Sequence, residues 1–166
     1  MTVLRMLVTL LVGLPFAGFI QAEGDNQGKH ELQGSWDLQR IVLDGKPFPV
    51  QVKEVKFIFS KDRLTIVPPD ENAESFPRQT LSFTLHPETN PKSIDTTNLD
   101  GSTKGMTLAG IYKIEGDSLT VCIATESGAA RPKSFESKEG SKLAVYTLQR
   151  AKPQSEQQPE HPESSR

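Results

Sequence analysis

The chain has 166 residues, a formal charge of −2 from 19 Lys and Arg against 21 Asp and Glu, and 35% of its positions in the hydrophobic class. That length supports one small domain and excludes a large multi-domain enzyme. Near-neutral charge without a basic cluster excludes a nucleic-acid binder, whose affinity rests on grouped Lys and Arg neutralising phosphates.

Residues 6–20 are apolar and uncharged behind Arg5, the layout of a secretory signal. The stretch is shorter than the roughly 20 residues a membrane-crossing helix needs, and Pro15 and Gly18 interrupt it. Ile20-Gln21-Ala22 offers a small residue at a cleavage point, and Glu23-Gly24-Asp25 turns abruptly polar. The expectation is a signal peptide over residues 1–22 and export to a periplasmic or extracellular space, with no stable membrane span once it is removed. Retention as an uncleaved anchor is the alternative. Residues 23–30 are polar and read as a flexible leader. At the other end, residues 151–166 are rich in Pro, Gln, Ser and Glu, too polar to offset their ordering entropy, and are expected to be disordered. The domain is therefore residues 31–150.

Inside it the apolar residues alternate with period two, which predicts an all-β fold. Trp36, Leu38 and Ile41 lie on a first strand that stops at Asp44-Gly45-Lys46-Pro47. Residues 50–54 are compatible with one helical turn. Val55, Phe57 and Phe59 share a face of the next strand, and Leu64 and Ile66 continue that face after a turn at 60–63. Pro68-Pro69 ends this hairpin and opens a polar loop over 68–78. Leu81, Phe83 and Leu85 mark a fourth strand closed by His86-Pro87, and a short fifth follows around Ile94.

The strongest hairpin signal comes next. Residues 108–114 and 118–124 flank Glu115-Gly116-Asp117, where Gly116 suits a positive φ. Counting out from the turn puts Tyr112 and Ile114 on one face with Leu119, Val121 and Ile123. A loop and a possible edge segment at Phe135 precede a last strand over 143–150. About eight sequential antiparallel strands with short connections predict an up-and-down barrel or two packed sheets.

Several signals in order carry a resemblance. Leu32-Gln33-Gly34-Ser35-Trp36, Asp44-Gly45-Lys46-Pro47, Pro91-Lys92-Ser93-Ile94-Asp95, Gly110-Ile111-Tyr112 with Gly116-Asp117-Ser118-Leu119-Thr120-Val121-Cys122, and Arg131-Pro132 with Phe135 together resemble an uncharacterised secreted domain family of planctomycete bacteria. The resemblance implies an exported lipocalin-like β-barrel and no assigned activity. More loosely, Gly34-Ser35-Trp36 and Arg150 are similar to the lipocalin Gly-x-Trp and its closing arginine. Trp36 and Arg150 are thus candidates for barrel closure, a guanidinium over an indole supplying area and cation–π attraction.

The chemistry-bearing residues are few. Cys122 is the only cysteine, so no intrachain disulfide can form, and no redox motif surrounds it; a packed thiol is favoured over a nucleophile. His30, His86 and His161 have no partners at metal-ligand spacing. Asp95, Asp100 and Asp117 sit at strand ends or turns, where Asp is common for conformational reasons. No catalytic residue, metal or cofactor is assigned, and an enzyme would require Asp95, His86 or Cys122 to converge in a cleft. Arg131 and Lys133 flank Pro132 in the longest late loop, where a solvated loop is the default reading and contact with an acidic partner the alternative. Trp36, Phe57, Phe59, Phe83 and Tyr112 are candidates for lining a ligand cavity, or for filling the core instead. The leading expectation is an exported, non-enzymatic barrel that binds a small apolar or amphipathic molecule. The alternative is a solid barrel recognising a protein or envelope partner through loops 68–78, 98–106 and 125–134.

Overall fold

The computed structural model describes residues 23–48, 54–69 and 77–152. The expected signal segment 1–22, all but the last residue of the expected helical turn over 50–54, most of the 68–78 loop and tail residues 153–166 lie outside the described residues.

Nine strands form one antiparallel sheet, in chain order apart from the second, and the last returns to pair with the first. They are β1 (Gly34–Leu43), β2 (Lys46–Pro47), β3 (Lys56–Ser60), β4 (Arg63–Val67), β5 (Gln79–His86), β6 (Ser93–Asn98), β7 (Thr107–Glu115), β8 (Ser118–Ala124) and β9 (Leu143–Arg150). β2 is a two-residue return that pairs only with the end of β1. The other eight close an up-and-down barrel, sealed where Trp36 pairs with Arg150 and Leu43 with Ala144. Closure leaves no free sheet edge except at β2.

The alternating pattern decides which side chains face inward. Trp36, Phe57, Ile66, Phe83, Tyr112, Leu119 and Leu148 are among the residues of one continuous buried core. The register carries the inward row across strands: Tyr112 lies opposite Val121, and Val121 opposite Tyr146.

One residue breaks the alternation. Between Leu38 and Arg40 the pairing of β1 with β9 shifts by a bulge, so Gln39 and Arg40 are both exposed. Such an extra residue bends the strand and re-aims its side chains.

Residues 23–30 are not a flexible leader. They form most of a helix, α1 (Glu23–Leu32), that lies under one end of the barrel. Their polarity hides the helix, which meets the barrel toward its C-terminal end: Leu32 is fully buried, and Gly28 packs so close to the barrel that a Cβ there would stand 3.1 Å from the Tyr112 hydroxyl. A larger residue there would have to push the Tyr112 hydroxyl aside. Nor does Phe135 form an edge strand. It belongs to an irregular strap, residues 125–142, that crosses the outside of the barrel.

The antiparallel meander sorts the connections between two ends. Turns 61–62 and 116–117 and the 87–92 connection lie at the α1 end. The 44–45 turn and the 99–106 and 125–142 connections lie at the other, where β3 also begins and β4 ends. The latter end therefore carries the loops that can vary without disturbing the core.

Candidate functional site

Closure at the α1 end is built from three carbonyls. A helix leaves its last carbonyls without intrahelical donors. Here the indole N–H of Trp36 donates to Leu32 O at 2.8 Å, while the Arg150 guanidinium donates to Glu31 O at 2.9 Å and Gln33 O at 3.1 Å. The guanidinium carbon lies 4.1 Å from the Trp36 ring centroid. One cation thus stacks on the indole and caps the negative end of the helix. Gln33 adds a further tie, accepting from Lys61 N–H at 2.7 Å.

Trp36, Phe57, Phe59, Phe83 and Tyr112 are all buried within the barrel, none more than 4% exposed. Phe59 and Phe83 meet edge to face with centroids 5.4 Å apart, and Phe57 packs against Tyr146 at 5.7 Å. All five belong to one buried core cluster. The inward polar exception is Thr96, paired with Phe83 on one side and Leu108 on the other. It is 4% exposed, and its hydroxyl has no hydrogen-bond partner among the described residues.

At the loop-bearing end Leu43 is 38% exposed, and Phe48 is partly buried against the core after its N–H returns to Ile41 O. The 99–106 turn is braced: Asp100 accepts from Thr80 N–H at 3.0 Å, and the Asn98 amide donates to the Thr103 hydroxyl at 2.7 Å.

Outside the barrel, the strap covers a second, small core. Ile111, Cys122 and Val145 are buried there, with Val42, Phe135 and Leu143 packed against them. Arg131 latches the start of the strap, donating to Gly110 O at 2.7 Å, Ile94 O at 3.1 Å and the Asp95 carboxylate at 2.7 Å. Ser137 secures its far side by accepting from Gly45 N–H and donating to Leu143 O. Gly45 has φ +80°, and a Cβ there would come 2.5 Å from Glu139 N, so both backbone conformation and space require glycine.

Of the three residues an enzyme would need to converge, two meet. His86 Nε2 lies 3.2 Å from Asp95 Oδ2. Arg131 holds the other oxygen of Asp95, and Cys122 lies away from the pair, reached in register only through Ser93 and Ile111. The Cys122 thiol is fully buried, and burial pushes it up to about 11. At pH 8 only about one thiol in a thousand would ionise, so iodoacetamide should leave the folded protein unlabelled and modify it in denaturant. Rapid labelling of the native protein would show that the strap does not shield it. Among the described residues no three His, Cys, Asp or Glu side chains group to hold a metal ion, and no helix is long and apolar enough to cross a membrane.

Beside the strap runs an open groove of about 530 Å³. Its floor is a row across four strands, Lys113, Thr120, Thr147 and Arg40, with Val42 and Val145 in the next row. Phe135 and Lys138 form part of the strap wall, and Lys113 Nζ sits 5.5 Å from the Phe135 ring centroid. Counting alternation shows that Lys113, Thr120 and Thr147 point outward. The bulge that adds Arg40 to them shows in the sequence only as the step from Leu38 to Ile41, three residues where alternation gives two, and the groove is not evident before folding.

No protein-family model matches the chain, and no curated protein or solved structure matches it.

Proposed function

We propose that this is an exported, non-enzymatic domain that binds a small amphipathic molecule from the loop-bearing end of the barrel. The observation that carries the reading is Thr96. A hydroxyl buried without a partner costs about 1–3 kcal/mol, and a bound molecule with one polar atom would remove that cost. The surrounding wall is apolar, as ligand sites generally are, with few polar groups to fix orientation. The packing of Trp36, Phe57, Phe59 and Phe83 supports a shallow site over a deep calyx. Export rests on the amino-terminal residues, and the likeness to lipocalins rests on barrel topology together with Gly34-Ser35-Trp36 and Arg150.

The test is solvent extraction of protein purified from its native source, followed by mass spectrometry, with Thr96→Val as the companion variant. One amphipathic compound should co-extract in near-stoichiometric amount. Thr96→Val should raise the stability of the ligand-free protein by about 1 kcal/mol, since it removes an unsatisfied polar atom while nearly conserving shape, and should weaken retention of the compound. An empty extract together with a destabilised Thr96→Val protein would refute this reading. It would leave the solid barrel recognising a partner through the braced 99–106 turn and the exposed Leu43 rim.

A further inference from the structure

We propose a second binding site, independent of the barrel interior: the groove beside the strap accepts a small organic carboxylate whose apolar body lies toward Val42, Val145 and Phe135. Three observations carry it.

The first is charge. Lys113 pairs with Glu115 at 2.7 Å and Lys138 with Glu136 at 3.1 Å, so two of the three groove cations are already compensated. Arg40 has no ion-pair or hydrogen-bond partner among the described residues. Arg40 is thus the uncompensated cation of the groove, and its planar fork fits a carboxylate with two parallel hydrogen bonds.

The second is the donor set beside it. Thr147 is the direct ladder partner of Arg40, and Thr120 is the partner of Thr147. Neither hydroxyl has a hydrogen-bond partner among the described residues. Two free hydroxyls next to one free guanidinium can satisfy the remaining lone pairs of a carboxylate. The β1 bulge puts Arg40 in this row.

The third is size. Side chains two residues apart on a strand are roughly 6–7 Å apart, which is the distance from the Arg40 row to the Val42 row. A carboxylate held at Arg40 and Thr147 therefore reaches the valines with a body of about one ring or a short alkyl chain. The groove's 530 Å³ falls within the usual range for small-ligand sites of roughly 300–1,000 Å³. Glu136 also lines the groove and repels a second negative charge, which favours a monoanion over a dianion.

The experiment is an amide-NMR titration of the full-length protein with 3-phenylpropionate, and with uncharged 3-phenylpropanol for comparison. Saturable shifts should cluster at Arg40, Thr120, Thr147 and Phe135, at millimolar or tighter affinity. Arg40→Gln should weaken binding by about 10-fold or more, matching the loss of one charge-assisted contact. Thr147→Val should weaken it less, and Lys133→Gln, outside the groove, should leave it unchanged. The proposal is overturned if no saturable shifts occur, if Arg40→Gln and Thr147→Val bind as wild type does, or if 3-phenylpropanol binds equally well. Shifts confined to Thr96 and Leu108 would also overturn it while supporting the interior site, so the two readings fail separately.

Discussion

Replacing Arg150 with alanine is expected to lower the unfolding free energy by about 2–4 kcal/mol, and the melting temperature by roughly 10 °C, the largest effect of any single polar residue in the domain. The stack on Trp36 contributes about 0.5–2 kcal/mol of this. The remainder comes from Glu31 O and Gln33 O, which lose a charged donor at the partly buried end of α1. The side chain is 35% exposed, so water can replace part of each bond and the upper end of the range is not exceeded. Arg150→Lys keeps the charge but loses the flat stack and the fork that reaches two carbonyls, and should recover less than half of the loss. Thermal unfolding followed by far-UV circular dichroism measures both. An alanine variant that melts with wild type would mean that neither the helix nor the barrel seam depends on this contact.

Replacing Arg131 with methionine should cost about 1–3 kcal/mol and act on a different part of the molecule. Arg131 and Asp95 are each about a third exposed, so the penalties of a fully buried pair do not apply. What the substitution removes is the latch: three hydrogen bonds that tie the strap to β6 and β7. The strap carries Phe135 over Cys122 and Val145, so its release should expose the thiol before the barrel unfolds. The readout is iodoacetamide labelling of Cys122 under native conditions, which should accelerate well beyond what the fall in global stability accounts for. Labelling that tracks global unfolding alone would show that strap and barrel open as one unit.

These two arginines illustrate what a sequence can and cannot disclose. Arg150 was legible because barrel closure brings the first and last strands side by side, and an arginine ending the last strand beside a tryptophan opening the first has one obvious use. Arg131 was not legible. Its partners lie 36 and 37 residues away in the chain for Asp95 and Ile94, and nothing local distinguishes it from a solvated loop cation. A reading from sequence left it in solvent or offered it to an acidic partner; folding uses it internally.

The helix was missed for a related reason. Periodicity reports burial, and the polar stretch 23–31 shows no apolar repeat along the chain, although α1 packs Leu32 and Gly28 on the barrel. Its stability comes from the Trp36 and Arg150 donors, which are contributed by the two strands that close the barrel.

The sequence by itself determined the main strands and their inward faces, because period-two alternation is a local property, and short connections favoured antiparallel pairing of neighbours; that the sheet closes on itself through β1 and β9 belongs to the tertiary structure. The five inward aromatics could be named from it as lining or filling the barrel. Tertiary structure alone placed them in one buried core, since packing depends on how the register brings Phe59 to Phe83 and Phe57 to Tyr146. It also decided where the unsatisfied polar groups lie. Thr96 inside the barrel and Arg40 on its outer wall look ordinary along the chain. Each became a candidate contact only when a closed barrel buried the first and a one-residue bulge turned the second outward.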